Sequence, residues 1–211
     1  LGTKTGIDIP SESVGYLPES EQLVNILDLS FGQFDLYTPL QLVQYASVIA
    51  NGGVRYAPRL VKEIRNTDAN GHLGGVETTI EPKVMNVVPV EKAVMDRIHE
   101  GMYQVSHTMD GTAHYLFMDY PIKVGSKTGT DEAFYAGPIQ YAANNPVVNA
   151  TYIGYAPYDK PEIAVSVVLP YLPADATGRD STRIARDVMN AYFETREATR
   201  STIESYKPNQ P

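Results

Sequence analysis

The sequence predicts an α+β fold, an antiparallel sheet flanked by helices, and three observations carry that prediction. Runs with strand character at residues 122–130, 147–155 and 162–169 follow one another in the C-terminal half. The last two are joined by the turn Ala156-Pro157-Tyr158-Asp159-Lys160-Pro161, which is hairpin chemistry. Helical periodicity is instead confined to blocks on either side of these strands, which is the segregation that marks the α+β class.

Taken in order, residues 1–19 are rich in Gly, Pro, Ser and Thr and predict irregular structure with at most a short strand. Residues 23–29 form a short apolar run, and 31–35 read as a turn. A helix then begins at Thr38 as N-cap with Pro39 in its first turn. Leu40, Val43, Ala46 (or Ser47) and Ala50 keep the 3.6 period, and Gly52-Gly53 ends it. Residues 54–64 look extended, 66–75 read as a Gly-rich polar loop, and 84–88 as a further strand. After Pro89 a second helix places Val90, Val94, Ile98, Met102 and Val105 on one face. Gly111-Thr112-Ala113 and a connector with Tyr115, Phe117 and Tyr120 lead into the 122–130 strand, and 131–146 reads as a loop. A last helix starts near Asp180 or Ser181 and turns Ile184, Val188 and Tyr192 inward. The expected organisation is one domain portion over residues 1–195 and a mobile polar tail over 196–211.

Composition removes several function classes. With 211 residues and 43% apolar side chains the chain can bury a core, and a net charge of −8 argues against a nucleic-acid surface. The absence of cysteine rules out disulfides, a thiolate nucleophile and cysteine-ligated metal. His72, His99, His107 and His114 lack the spacing of a zinc helix motif, so no metal or other cofactor is expected. No apolar run reaches membrane-spanning length. Fifteen tyrosines scattered through strands and helices fit packing better than a sugar-stacking surface, and Asp110 fits turn chemistry better than a general base.

The chemistry concentrates in Val124-Gly125-Ser126-Lys127-Thr128-Gly129-Thr130. On an extended strand Lys127 and Gly129 face one way, Thr128 and Thr130 the other. A glycine in a strand interior signals that a backbone or ligand comes close, so the run reads as an edge strand with which an extended ligand can pair. Lys127 supplies a point charge and the threonines supply donors for a carboxylate.

Lys127-Thr128-Gly129 is also the third of the three motifs of penicillin-binding proteins and class A β-lactamases, after Ser-x-x-Lys and Ser-x-Asn. The triplet is unspecific by itself, since Lys4-Thr5-Gly6 repeats it in what reads as a loop. Order and context add specificity. Residues 1–10 resemble a Gly-x-Lys-Thr-Gly-Ile-Asp-x-Pro stretch. Phe31-Gly32-Gln33, Thr38-Pro39-Leu40-Gln41-Leu42 and Ile49-Ala50-Asn51-Gly52-Gly53 resemble a Gly-Gln…Thr-Pro-Leu-Gln-Leu…Ala-Asn-Gly-Gly helix. Gly111-Thr112-Ala113, Lys127-Thr128-Gly129-Thr130 and the hairpin from Ala156-Pro157 to Val168 follow in the order of the transpeptidase domain of class B penicillin-binding proteins, which the chain resembles over residues 1–193. A class A β-lactamase is disfavoured, because its short hairpin and final helix leave no place for the 1–53 block.

The resemblance implies a serine D,D-transpeptidase that crosslinks peptidoglycan stem peptides through an acyl-serine and is acylated by β-lactams. By resemblance, Ser126, Lys127, Thr128, Gly129 and Thr130 bind the substrate. Lys127 gives the positive field, the Thr128 and Thr130 hydroxyls hold the terminal carboxylate, and the Thr130 backbone N–H is one of two oxyanion donors. Loss of such a donor elsewhere has raised a barrier by roughly 3–4 kcal/mol. Gly129 would be bare to admit the ligand.

Two departures qualify this. Neither Ser-x-x-Lys nor Ser-x-Asn occurs in the chain, so the nucleophile, its lysine base and the second-motif serine are missing. The chain is therefore expected to be the C-terminal portion of a longer polypeptide whose N-terminal remainder carries both motifs, works on the extracytoplasmic face of the bacterial membrane and holds the membrane anchor. The other departure is Asp131-Glu132, directly after the motif. The pair either tunes the cleft mouth toward amine-bearing stem peptides or consists of solvated charges at a strand end. The alternative to catalysis is an inactive module of the same fold that binds peptidoglycan or β-lactams.

Overall fold

The computed structural model describes residues 1–17, 35–133, 135, 147–176 and 178–205, with side chains as far as 198. It divides into two compact units, Leu1–Met95 and Asp96–Pro211. The apolar run at 23–29 and the turn at 31–35, apart from Asp35, lie outside the described residues.

The first unit is built on helix α1, Pro39–Ala50. Its start follows the sequence signal, because Thr38 and Gln41 form a reciprocal capping box: the Gln41 amide donates to Thr38 Oγ1 at 3.2 Å and the Thr38 amide to Gln41 Oε1 at 2.9 Å. The buried stripe differs from the expected one. Gln41, Gln44, Ala46, Val48 and Ile49 are buried, whereas Leu40, Val43 and Ala50 are half-buried. The cause is a set of backbone carbonyls that need donors. Gln41 Nε2 donates to the carbonyls of Thr3 and Val14, both at 3.0 Å, and Gln44 Nε2 donates to those of Thr5 at 2.9 Å and Tyr56 at 2.7 Å. Arg55 Nε in turn donates to Gln44 Oε1 at 3.0 Å. The irregular N-terminal segment is thus held by side chains in place of a ladder. Thr5 is buried with its hydroxyl on Glu12 at 2.6 Å, so Lys4-Thr5-Gly6 is a pinned loop, as the sequence reading has it.

Two short antiparallel pairs complete this unit. Strand β1, Val54–Tyr56, pairs with β4, Val84–Val87; β2, Glu63–Thr67, pairs with β3, Leu73–Thr79. The expected 66–75 loop contracts to a tight turn in which Asp68 Oδ1 accepts from the Asn70 and His72 amides. Strand β3 is exposed along its whole length, so it shows no apolar alternation and its Gly74-Gly75 reads as loop.

The second unit holds the C-terminal part of helix α2, Lys92–His107, the short helix α3, His114–Phe117, and a three-stranded antiparallel sheet. Strands β5, Gly125–Ala133, β6, Val147–Ala156, and β7, Ile163–Pro173, lie in that order, with Thr128 opposite Tyr152, Gly129 opposite Thr151 and Thr130 opposite Ala150. The β6–β7 hairpin is the expected one. Strand β5 outruns its expected end by three residues, through Asp131, Glu132 and Ala133. Helix α4, Arg179–Ser205, packs on β6 and β7. The core between them contains Phe117, Tyr120, Val124, Tyr152, Val165, Val167, Ala185 and Met189. Burying each large apolar side chain here contributes about 1.5–3 kcal/mol.

The buried faces of both long helices match the expected ones only in part: in α2 Met102 is buried and Val105 half-buried as expected. In α2 Met95, Met102 and Ser106 are buried while Val94 and Ile98 are exposed. In α4 Ser181, Thr182, Ala185 and Met189 are buried, whereas Ile184 is 39% and Val188 44% exposed, and Tyr192 is half-buried. Small hydroxyls cause the shift: Ser181 Oγ donates back to the Gly178 carbonyl at 2.8 Å and is satisfied inside the core. The helix accordingly begins at Arg179, just ahead of the expected caps, and continues well past Arg196 into the segment expected to be a tail. Its Thr, Glu, Arg and Ala residues there are compatible with helix, and Arg196 pairs with Glu162 beside β7.

Gln44 gives the first testable consequence. Gln44→Leu keeps the volume but leaves two carbonyls and the Arg55 Nε–H without this partner, so unfolding free energy should fall by about 1–3 kcal/mol. Urea denaturation checks this, with a lowered midpoint at unchanged slope as the expected outcome.

Candidate functional site

Strand β5 lies at the edge of its sheet and, among the described residues, pairs only with β6. No other strand among the described residues pairs with its second edge, which is the edge position the sequence predicts. Three polar contacts fix how it lies. His107 Nε2 accepts the Val124 amide at 3.0 Å, immediately before the strand. The Ser106 and Ser126 hydroxyls share a buried hydrogen bond of 2.6 Å. The Thr112 and Thr128 hydroxyls share one of 2.7 Å at the surface.

These contacts sort the candidate residues. Ser126 is fully buried on the helix-covered face and committed to Ser106, so it can offer a ligand only its backbone. Lys127 is exposed, and its Nζ donates to the Thr128 carbonyl. Thr128 is half-buried with its hydroxyl on Thr112, and Thr130 is exposed with its hydroxyl close to Gly178, where an added methyl carbon would lie 3.3 Å away. Lys127, Gly129 and Asp131 share one face of the strand; Ser126, Thr128 and Thr130 share the other.

Gly129 also lies close to the neighbouring strand. A Cβ there would sit 2.2 Å from Thr151 Oγ1 of the neighbouring strand, so a side chain at 129 would require Thr151 to move. The acidic pair separates likewise. Asp131 is half-buried and accepts from Asn149 Nδ2 at 3.3 Å, while Glu132 is exposed. Asn149 falls at the irregularity in the β6–β7 register, and its Oδ1 accepts the Tyr171 amide at 3.1 Å. Asp131 thus has a partner at the strand end.

Three residues were not singled out as functional by sequence: Ser106, His107 and Thr112. Only Thr112 carried a signal, through its Gly-Thr-Ala triplet. His107 also has a polarised environment. Burial pushes its pKa below the usual histidine value, and the neighbouring Lys123 charge acts the same way. An acceptor nitrogen for the Val124 amide must be unprotonated, so the geometry requires the neutral ring. Tyr103 stacks on that ring with centroids 4.5 Å apart. Among the described residues no group of three or more histidines, aspartates or glutamates is placed to hold a metal ion. None of the described helices is long and apolar enough to cross a membrane.

Lys127, Thr128 and Thr130 thus lie along a strand edge that, among the described residues, has no second strand partner. The family model described as penicillin binding protein transpeptidase domain matches residues 1–190, and the chain belongs to that family. It is 42% identical to penicillin-binding protein 2A of Bacillus subtilis over 92% of this chain and 27% of that protein. The solved structure of penicillin-binding protein 2B from Streptococcus pneumoniae strain R6 superposes with a TM-score of 0.79 at 37% identity, covering 100% of this chain and 32% of that one. A protein named peptidoglycan D,D-transpeptidase MrdA, from Haemophilus influenzae, is 25% identical over 93% of this chain and 31% of its own length. The chain thus spans about a third or less of these relatives, and the expected family and α+β fold are both borne out.

The neutral His107 sets a pH dependence. Its folded-state pKa lies below the unfolded value, so its contribution is complete above about pH 6.5 and is lost as pH falls below that, where the unfolded chain takes the proton first. Unfolding free energy measured between pH 7 and 5 should decline less steeply in His107→Gln than in the unsubstituted protein, since glutamine can accept the Val124 amide without titrating.

Proposed function

We propose that this chain is the C-terminal portion of a serine D,D-transpeptidase that crosslinks peptidoglycan stem peptides and is acylated by β-lactams. The carrying observation is that Lys127, Thr128 and Thr130 lie on a strand at the edge of its sheet, with no second strand partner among the described residues. Membership of the transpeptidase family and likeness to a protein named as a D,D-transpeptidase support it.

In this reading the N-terminal remainder of the polypeptide contributes Ser-x-x-Lys and Ser-x-Asn and lines the other side of the cleft. The donor stem peptide lies along β5 with its terminal carboxylate among Lys127, Thr128 and Thr130. The serine oxygen bonds to the penultimate D-Ala carbonyl carbon and the amide C–N bond breaks. The proton lost by the serine leaves on the amine of the departing D-Ala. The Thr130 backbone N–H is one of two donors to the oxyanion, where a fixed dipole is worth most. An amine from a neighbouring stem peptide then takes the acyl group and frees the serine. Lys127 acts through its charge, which draws the carboxylate and stabilises the anionic intermediate. The substrate places the work on the outer face of the cytoplasmic membrane.

Labelling of the full-length polypeptide with a fluorescent penicillin tests the reading. The unsubstituted protein should form a stable covalent adduct, and Lys127→Ala should slow its formation by roughly a hundredfold or more. An unchanged rate in that variant would remove Lys127 from the mechanism. An unsubstituted protein that takes no label would leave a binding module in place of an enzyme.

A further inference from the structure

We propose that Thr112 is a positioning residue of this site, aiming the Thr128 hydroxyl at the carboxylate of the acyl donor; the inference rests on the transpeptidase reading above. Its basis is the 2.7 Å contact between Thr112 Oγ1 and Thr128 Oγ1. Each hydroxyl has one proton, and a carboxylate can only accept. Thr128 can therefore hold a carboxylate only if it spends its proton there, which requires that it accept, and Thr112 donate, in the bond between them. The result is a relay in one direction: Thr112 O–H to Thr128 Oγ, Thr128 O–H to the carboxylate. Such chains polarise each link, so the Thr112 donor strengthens the bond that Thr128 makes.

The local structure places Thr112 for this role. The amide of Gly111 donates to the Thr108 carbonyl at 2.9 Å, and that of Ala113 to the Val105 carbonyl at 3.0 Å. At Gly111 a Cβ would lie 2.4 Å from the carbonyl oxygens of both Gln104 and Val105, so only glycine lets the turn close this tightly on the end of α2. Ala113 is fully buried in the core. Thr112 is thus pinned on both sides along the backbone while its own side chain stays exposed. Solvent can replace an exposed hydroxyl contact at little cost to folding, so a fixed one beside Lys127-Thr128-Gly129 points to ligand geometry rather than stability.

The test compares benzylpenicillin, which carries the carboxylate, with its methyl ester, which lacks that charge. Acylation of the full-length polypeptide by each is followed by intact mass as a function of concentration. Thr112→Val should lower acylation efficiency with benzylpenicillin about tenfold, chiefly by raising the half-saturating concentration, and leave the ester within about twofold. Thr112→Ser, which restores the donor, should recover benzylpenicillin to within about twofold of the unsubstituted rate. Thr128→Val should show the same selectivity, and the double variant should be no worse than Thr128→Val alone. An unchanged benzylpenicillin rate in Thr112→Val, or an equal loss with both compounds, overturns the role of Thr112 while leaving the transpeptidase reading in place. Absence of any adduct on the unsubstituted polypeptide overturns that reading, and this inference with it.

Discussion

The two-residue period of β5 is the constraint on which the rest of the second unit depends. Because Ser126 is buried against Ser106 and Tyr152 against the helices, the opposite face must carry Lys127, Gly129 and Asp131. A slip of one residue would drive Lys127 and Asp131 into the core and turn Ser126 and Thr128 outward. Burying an unpaired charge costs several kcal/mol, so the register is strongly fixed. The same pairing that satisfies Ser126 presents Lys127 and, among the described residues, leaves the strand's outer edge without a strand partner.

That view changes the meaning of particular residues. Gly129, which sequence suggests is bare for a ligand, also faces Thr151 of the neighbouring strand, which would have to move for any side chain there. Ser126, which the motif groups with the substrate-binding residues, is a core hydroxyl. Both belong to the support of the site. Of the motif's exposed or half-buried polar side chains, Lys127, Thr128 and Thr130, Thr128 already has a hydroxyl neighbour.

Much of this was legible in the chain. The capping box at Thr38 and Gln41, the β6–β7 hairpin and the edge position of β5 all follow from local signals: a cap with proline behind it, a proline-rich turn, a glycine-bearing motif. The buried faces of α1, α2 and α4 were legible only in part: Ala46 and Met102 are buried as expected, and the rest was hidden largely by polar residues. Gln41, Gln44, Ser106, Ser181 and Thr182 are polar residues inside, each buried with a hydrogen-bond partner far away or behind it in sequence. A count of apolar residues passes over them and selects Leu40, Val94, Ile184 and Val188 instead. Strand β3 was hidden for the opposite reason, since a strand exposed along its length has no alternation to detect.

The contacts that hold β5 are short in sequence. Ser106 to Ser126, His107 to Val124 and Thr112 to Thr128 span 20, 17 and 16 residues, and all three come from the last turn of α2 or the turn just after it. Closing loops of this length costs little chain entropy compared with assembling distant segments. The end of α2, the Gly111 turn and β5 therefore form a locally closed bracket that can set the direction of Lys127 and Thr128 within the second unit alone. It also accounts for the order of the motifs. Gly111-Thr112-Ala113 precedes Lys127-Thr128-Gly129 at this distance because its glycine seats the turn on α2, its alanine enters the core and its threonine reaches the strand, three contacts that one triplet can make only from here.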